Sequence, residues 1–223
     1  MTIKVINLNK LLKLCALSEN GLISAVRADL RAERDKAQGQ DGGGGDFHGP
    51  FWSDAKMHVM GAVNLTGQTL LRIDRHAGRK RLYPLLEKGF LTWFDEVRRG
   101  TNQTVTWMPE SVHNHYEIPE LGLTVKVDNL LGLKIGPDKH RLIYPYFSER
   151  PILSEKWARI GLWLMAEALQ TFSITDMEIL DVLRGRSYSG ATVFMQGNEE
   201  AIFTGRYAEI VDLWHELRPQ YGI

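Results

Sequence analysis

Leu123-Thr124-Val125-Lys126-Val127, followed after Asp128-Asn129-Leu130 by Leu131-Gly132-Leu133-Lys134-Ile135, alternates apolar with polar or small residues twice in succession. A side-chain period of two marks strands that lay one face on a core. Gly136-Pro137-Asp138 is turn sequence, because glycine supplies φ > 0 and proline presets φ. His140 to Phe147 then reads as a third strand. Three runs this close in the chain predict an antiparallel meander. Pro145 cannot donate a ladder hydrogen bond, so it belongs near a strand end, on an edge or at a bulge.

Helical patterns flank this region on both sides. Downstream, Ser154 is placed to cap a helix whose Trp157, Ile160, Gly161, Leu164 and Ala168 share one face. Leu162, Trp163 and Met165 widen that face, which predicts burial on most sides. Glu178 to Leu183 and Ala191 to Phe194 read as further strands, and Tyr207, Ile210, Val211, Trp214 and Leu217 stripe a last helix that Pro219 ends. Upstream, Leu86, Phe90, Trp93, Phe94 and Val97 form one broad stripe, with Pro84 in the first turn and Gly100 at the end. Earlier helices are expected from the Ser18 cap to about Ala37, from Ser53, and from Thr66 to Arg75. Gly39 and Gly42 to Gly45 stop the first of these and make a glycine-rich loop. The expected fold class is α+β. A small central mixed sheet with an antiparallel meander is flanked by helices, and a helical N-terminal part covers about 1–100. The α/β core covers about 85–223, within a single domain of 1–223.

Composition narrows the function classes. Lys plus Arg and Asp plus Glu are both 27, so any surface for a polyanion has to be a local patch. The single cysteine, Cys15, lies in the apolar run Leu11 to Leu17 and rules out a disulfide framework within the chain. No run approaches the ~18 apolar residues that a membrane span needs. Residues 1–17 carry lysines among their apolar positions rather than ahead of them, unlike a signal peptide. A cytoplasmic protein without membrane contact is expected. No Gly-x-Gly-x-x-Gly, Walker loop, Gly-x-Ser-x-Gly or His-Glu-x-x-His occurs, which weakens the common nucleotide and hydrolase readings.

From Leu85 onward the order is helix, three strands, helix, strand. This order, with Val127-Asp128-Asn129-Leu130-Leu131-Gly132-Leu133-Lys134-Ile135-Gly136, resembles the core of the restriction-endonuclease-like, or PD-(D/E)XK, superfamily over about half the chain. The resemblance implies that Asp128, opening the second strand, stands where the family's metal-binding aspartate would. The next strand departs from the pattern: Tyr144 stands where the second acid is expected and Tyr146 where the lysine is expected. A neutral phenol is a poor ligand for a hard cation. The resemblance therefore implies a catalytic site that is lost or rebuilt from other residues.

Four clusters are candidates for chemistry. Asp46, His48, Asp54 and His58 offer oxygen and nitrogen donors for a divalent metal, on and after the glycine-rich loop. His113, His115 and Glu117 point the same way if extended. Arg72, Arg75, His76, Arg79, Lys80 and Arg81 are concentrated in ten residues, and Arg184 and Arg186 follow the late strand. Arginine forks onto phosphate. Phe47, Phe51 and Trp52 lie outside any stripe, in position to cover a core or to face a partner. Three functions follow as expectations. The first is a non-catalytic, nuclease-like module that binds nucleic acid or another phosphorylated ligand through Arg75, Arg79, Lys80, Arg81, Arg184 and Asp128. The second is a metal-dependent hydrolase using the Asp/His cluster. The third is an interaction subunit whose Phe51-Trp52 region meets a protein partner or a second copy.

Overall fold

The computed structural model describes residues 4–40 and 46–222; most of the glycine-rich loop expected after Gly39 lies outside them. The described residues form eight strands and seven α-helices in the order β1 (Val5–Asn7), α1 (Leu8–Ala16), α2 (Glu19–Ala37), α3 (Gly49–Val59), α4 (Leu65–Arg75), α5 (Tyr83–Arg99), β2 (Val105–Trp107), β3 (Asn114–Ile118), β4 (Leu123–Val127), β5 (Leu131–Ile135), β6 (Lys139–Tyr146), α6 (Glu155–Ala168), β7 (Met177–Asp181), β8 (Arg186–Ser189) and α7 (Glu199–Leu217). The fold is mixed α+β, as its patterns imply. Asn7, Ser18, Asn64 and Ser154 each cap a helix, their side-chain oxygens accepting the N–H three residues on.

The strands form two sheets, ordered β1-β4-β3 and β2-β5-β6-β7-β8. The expected meander is therefore only half realised. β5 and β6 form the antiparallel hairpin, but Leu123–Val127 does not pair with Leu131–Ile135. β4 pairs in parallel with β1 and antiparallel with β3 instead. Asn129 is responsible: its φ of 60 turns the chain out of the first sheet and into the second. Asparagine is one of the few residues that takes this left-handed conformation readily. Pro145 lies one residue from the end of β6, beyond the stretch paired to β5.

Alternation along β6 assigns the two faces of the larger sheet. Leu142, Tyr144 and Tyr146 join a core with residues of α1, α2, α6 and α7. Ile143 joins the other core, with Leu131, Leu133 and Leu180 against Phe51 and Trp52 of α3 and Phe90 and Trp93 of α5. The helical N-terminal third thus supplies helices to both faces, and it contributes one strand, β1. No helix among the described residues is long and apolar enough to cross a membrane.

Two local expectations are corrected. The last strand is Arg186–Ser189, not Ala191 to Phe194, whose Phe194 is 84% exposed. Gly185, with φ +62, reverses the chain directly after β7, so β8 starts at once. Helix α3 begins at Gly49 rather than Ser53, with Pro50 in its first turn. That earlier start buries Phe51 and Trp52 to 1% and 3% exposure, so they face the core and not a partner.

Gly89 and Gly185 let α5 touch the β7–β8 turn; a Cβ on Gly89 would stand 2.0 Å from the Val182 carbonyl oxygen. Gly89→Ala is expected to lose about 3 kcal/mol of stability in urea denaturation. Gly205→Ala, in open space on α7, is expected to gain about 1 kcal/mol from helix propensity.

Candidate functional site

A cleft of about 540 Å³ opens where the chain crosses between the sheets, at the ends of β1 and β6. Ligands of α/β proteins gather where strand order splits in this way. Its walls come from Asn7 and Asn9 at the start of α1, Asp46 and His48, the Trp52, Ser53 and Lys56 face of α3, Asp128 and Asn129, and the end of β6. Gly49, Trp52, Ser53 and Lys56 are three, four and seven apart on α3, which puts them on one side of that helix. Trp52 Nε1 donates to the Asn129 carbonyl at 2.6 Å and ties α3 to the crossover.

Hydrogen bonding in the wall is lopsided. Asn7 and Asn9 use their carbonyl oxygens on the N–H groups of Lys10 and Phe147, at 2.8 and 3.5 Å. Their amide NH2 groups donate to no described residue. The Lys56 ammonium has no ion pair or hydrogen bond to a described residue; it stands 6.0 Å from the Trp52 ring centre. Burial pushes its amine below the ordinary lysine range, and Asp128 pulls it back toward the charged form. The Tyr144 hydroxyl accepts the Asn9 N–H at 2.8 Å, and burial pushes its pKa up, away from ionisation. The Tyr146 hydroxyl donates to the Pro151 carbonyl at 2.8 Å, and burial pushes it up to about 12. Both phenols are thus neutral and engaged by backbone.

His48 stacks on Phe147 with ring centres 4.8 Å apart. Its Nε2 is buried without a hydrogen-bond partner. Burial pushes its imidazole down, opposed by the carboxylate of Asp46. Asp46 Oδ1 accepts the N–H groups of His48 and Gly49 at 3.1 and 2.8 Å, which fixes the entry into α3.

The expected metal cluster is divided. Asp46 and His48 line the cleft, but Asp54 is buried and holds Arg72 through two bonds of 2.8 and 3.0 Å. His58 lies 3.2 Å from the Val63 carbonyl through Nδ1. Asp54 and His58 occupy a different face of α3 from Trp52 and Lys56, so one helix cannot bring all four to one ion. Among the described residues no three His, Cys, Asp or Glu side chains gather in a way that could hold a metal.

The arginines are largely paired internally. Arg81 forks onto Glu149 with two bonds of 2.6 Å. Arg184 holds buried Asp181 at 2.9 and 3.0 Å and reaches the Glu149 carbonyl at 2.7 Å. Burial pushes the Asp181 carboxyl up, against the pull of Arg184. These two arginines therefore converge on Glu149, whose field also reaches His48. Arg79 lies over the Tyr83 ring at 5.2 Å, while Arg75 and Lys80 are exposed. The third cluster is where extension puts it: His115 Nε2 is 3.5 Å from Glu117 on the open edge of the smaller sheet.

Asn7, Asn9 and Lys56 were not singled out in the sequence. Their signals are the cap spacing Asn7 to Lys10 and the one-sided spacing of α3. No family model matches the chain, and no curated protein matches it either.

His48 gives the cleft a measurable pH signature. Its folded pKa lies below the ordinary value of 6.5, so the unfolded chain binds the proton first. The stability it confers is complete above about pH 6.5 and is lost as pH falls from there toward the folded value. Urea midpoints are expected to drop more between about pH 7.5 and pH 5 in the wild type than in His48→Gln.

Proposed function

We propose that the cleft binds a phosphate group of a nucleic acid or another phosphorylated ligand, with Lys56 as its anchor. The observation that carries this reading is the set of unused donors facing one cavity: the Lys56 ammonium and the amide NH2 groups of Asn7 and Asn9. Asn7 is exposed and Asn9 and Lys56 are half-buried, so water serves these donors in the free protein and an acceptor-rich ligand can take its place. A phosphate offers such oxygens, and a charge-assisted bond to lysine is about twice as strong as a neutral one. The negative charge of Asp128 favours the charged form of the ammonium, against the effect of burial. Arg81 and Arg184 are already held by Glu149 and Asp181 and do not line the cleft.

The resemblance to the restriction-endonuclease-like core fits this reading. Strands β2, β5, β6 and β7 are neighbours, antiparallel, antiparallel and parallel in turn, with α6 between β6 and β7. Asp128 precedes β5 and lines the cleft, and Lys56 on α3 puts a lysine there although Tyr146 does not. We read the module as a phosphate-binding descendant of that plan, in the cytoplasmic setting where nucleic acid is at hand.

Affinity for short single- and double-stranded oligonucleotides across salt concentrations tests the proposal. Lys56→Met is expected to weaken binding about tenfold and to lower the salt slope by about one. Absence of binding at ~50 mM salt, or a Lys56→Met protein that binds as the wild type does, overturns it. The same substitution removes a charge from a costly environment and is expected to raise Tm by about 2–4 °C.

A further inference from the structure

Strand β6 carries a second polar site at its opposite end. A groove of about 330 Å³ is walled by Trp93, Glu96 and Gly100 at the end of α5, by Lys139 and Arg141 of β6, and by Ser187 of β8. Beneath it lies Glu178, a carboxylate only 2% exposed. The Trp93 indole N–H donates to its Oε1 at 2.6 Å. Arg141 Nη1 stands 3.4 Å from its Oε2, an ion pair without hydrogen-bond geometry. A carboxylate held this deep costs several kcal/mol unless a cation compensates it, so Glu178 fixes Arg141 against the sheet.

The Arg141 guanidinium nevertheless makes no hydrogen bond to a described residue. A guanidinium has five N–H donors in a rigid fork. Its side chain is 35% exposed and lines the groove. An arginine held from below by a buried acid, with its donors open to a cavity, has the form of a receptor for a forked oxyanion. Lys139 adds a second cation on the same strand and side, and Ser187 a hydroxyl. Glu96 and Glu178 balance the two cations, so the groove favours one well-placed oxyanion over anions in general. Its volume sits at the small end of ligand pockets.

We propose that this groove binds a small oxyanion, a carboxylate or phosphate group, through Arg141 and Lys139. It lies at the other end of β6 from the Lys56 cleft and does not depend on that reading. The test is calorimetric titration of the Lys56→Met protein, which removes the anchor of the other cleft, with inorganic phosphate and, separately, with acetate at low ionic strength, chloride serving as the control. Arg141→Gln alone would leave Glu178 buried and unpaired, so it is combined with Glu178→Gln to keep the pair neutral. In the Lys56→Met background the double variant is expected to weaken binding at least tenfold and Lys139→Gln severalfold. Preference for phosphate or for acetate assigns the class of oxyanion, and saturable binding of either one supports the proposal. Binding no stronger than chloride, or an Arg141/Glu178 variant that binds like its Lys56→Met parent, overturns it.

Discussion

The architecture turns on one peptide unit. Asn129 takes a left-handed conformation, and its carbonyl accepts the Trp52 indole N–H at 2.6 Å. This turn ends β4 in the smaller sheet and starts β5 in the larger one. The same bond draws α3 over the gap, so Trp52, Ser53 and Lys56 become one wall of a cleft and Asp128 the other. A continued β-hairpin here would have kept β4 and β5 side by side and left no opening. The cleft is thus a direct consequence of how the two sheets are joined.

Charge pairing sorts the polar residues into two kinds. Asp54 with Arg72, Asp181 with Arg184, and Glu199 with Arg159 are buried acids, each with an arginine. Burial works against the Glu199 carboxylate, but the N–H groups of Gln196 and Gly197 and the charge of Arg159 hold it below its usual range. Removing one member of such a pair strands the other, so these residues hold α3 to α4, α6 to α7, and the β7–β8 turn in place. Lys56, Asn7 and Asn9 are of the other kind, while Arg141 belongs to both, since it pairs with buried Glu178 and still lines a groove. Their donors face cavities and no described residue completes them. That difference, more than the count of arginines along the chain, separates scaffold from candidate site.

What the sequence made legible follows from range. Alternation over residues 131–135 and 139–146, the caps at Ser18 and Ser154, and the stripes of α5, α6 and α7 are local signals, and the chain obeys them. β1 and β2 have three residues each, too few for a period to register. The parallel partnership of β4 with β1 has no local mark, because Val5 and Thr124 meet only once α1 and α2 are packed. The arginine patch misleads for the same reason. Glu149 neutralises Arg81 from a distant part of the chain, and no nearby residue announces it. Asp46, His48 and Asp128 do share the cleft, but the metal quartet fails because Asp54 turns to Arg72, another residue of a different helix.

β6 explains why two polar sites can coexist on so small a sheet. Its middle is buried on both faces, with Leu142 and Ile143 fully enclosed. Polar side chains are therefore admitted only at its ends, where the helices no longer cover it. At one end Tyr144 and Phe147 meet α1 and α3 across the cleft; at the other Arg141 meets the last turn of α5. The parallel neighbour β7 repeats the pattern, with Glu178 at its start and Asp181 at its end, each held by an arginine. An apolar middle thus fixes the register of both strands, and that register sets which charges stand at which end.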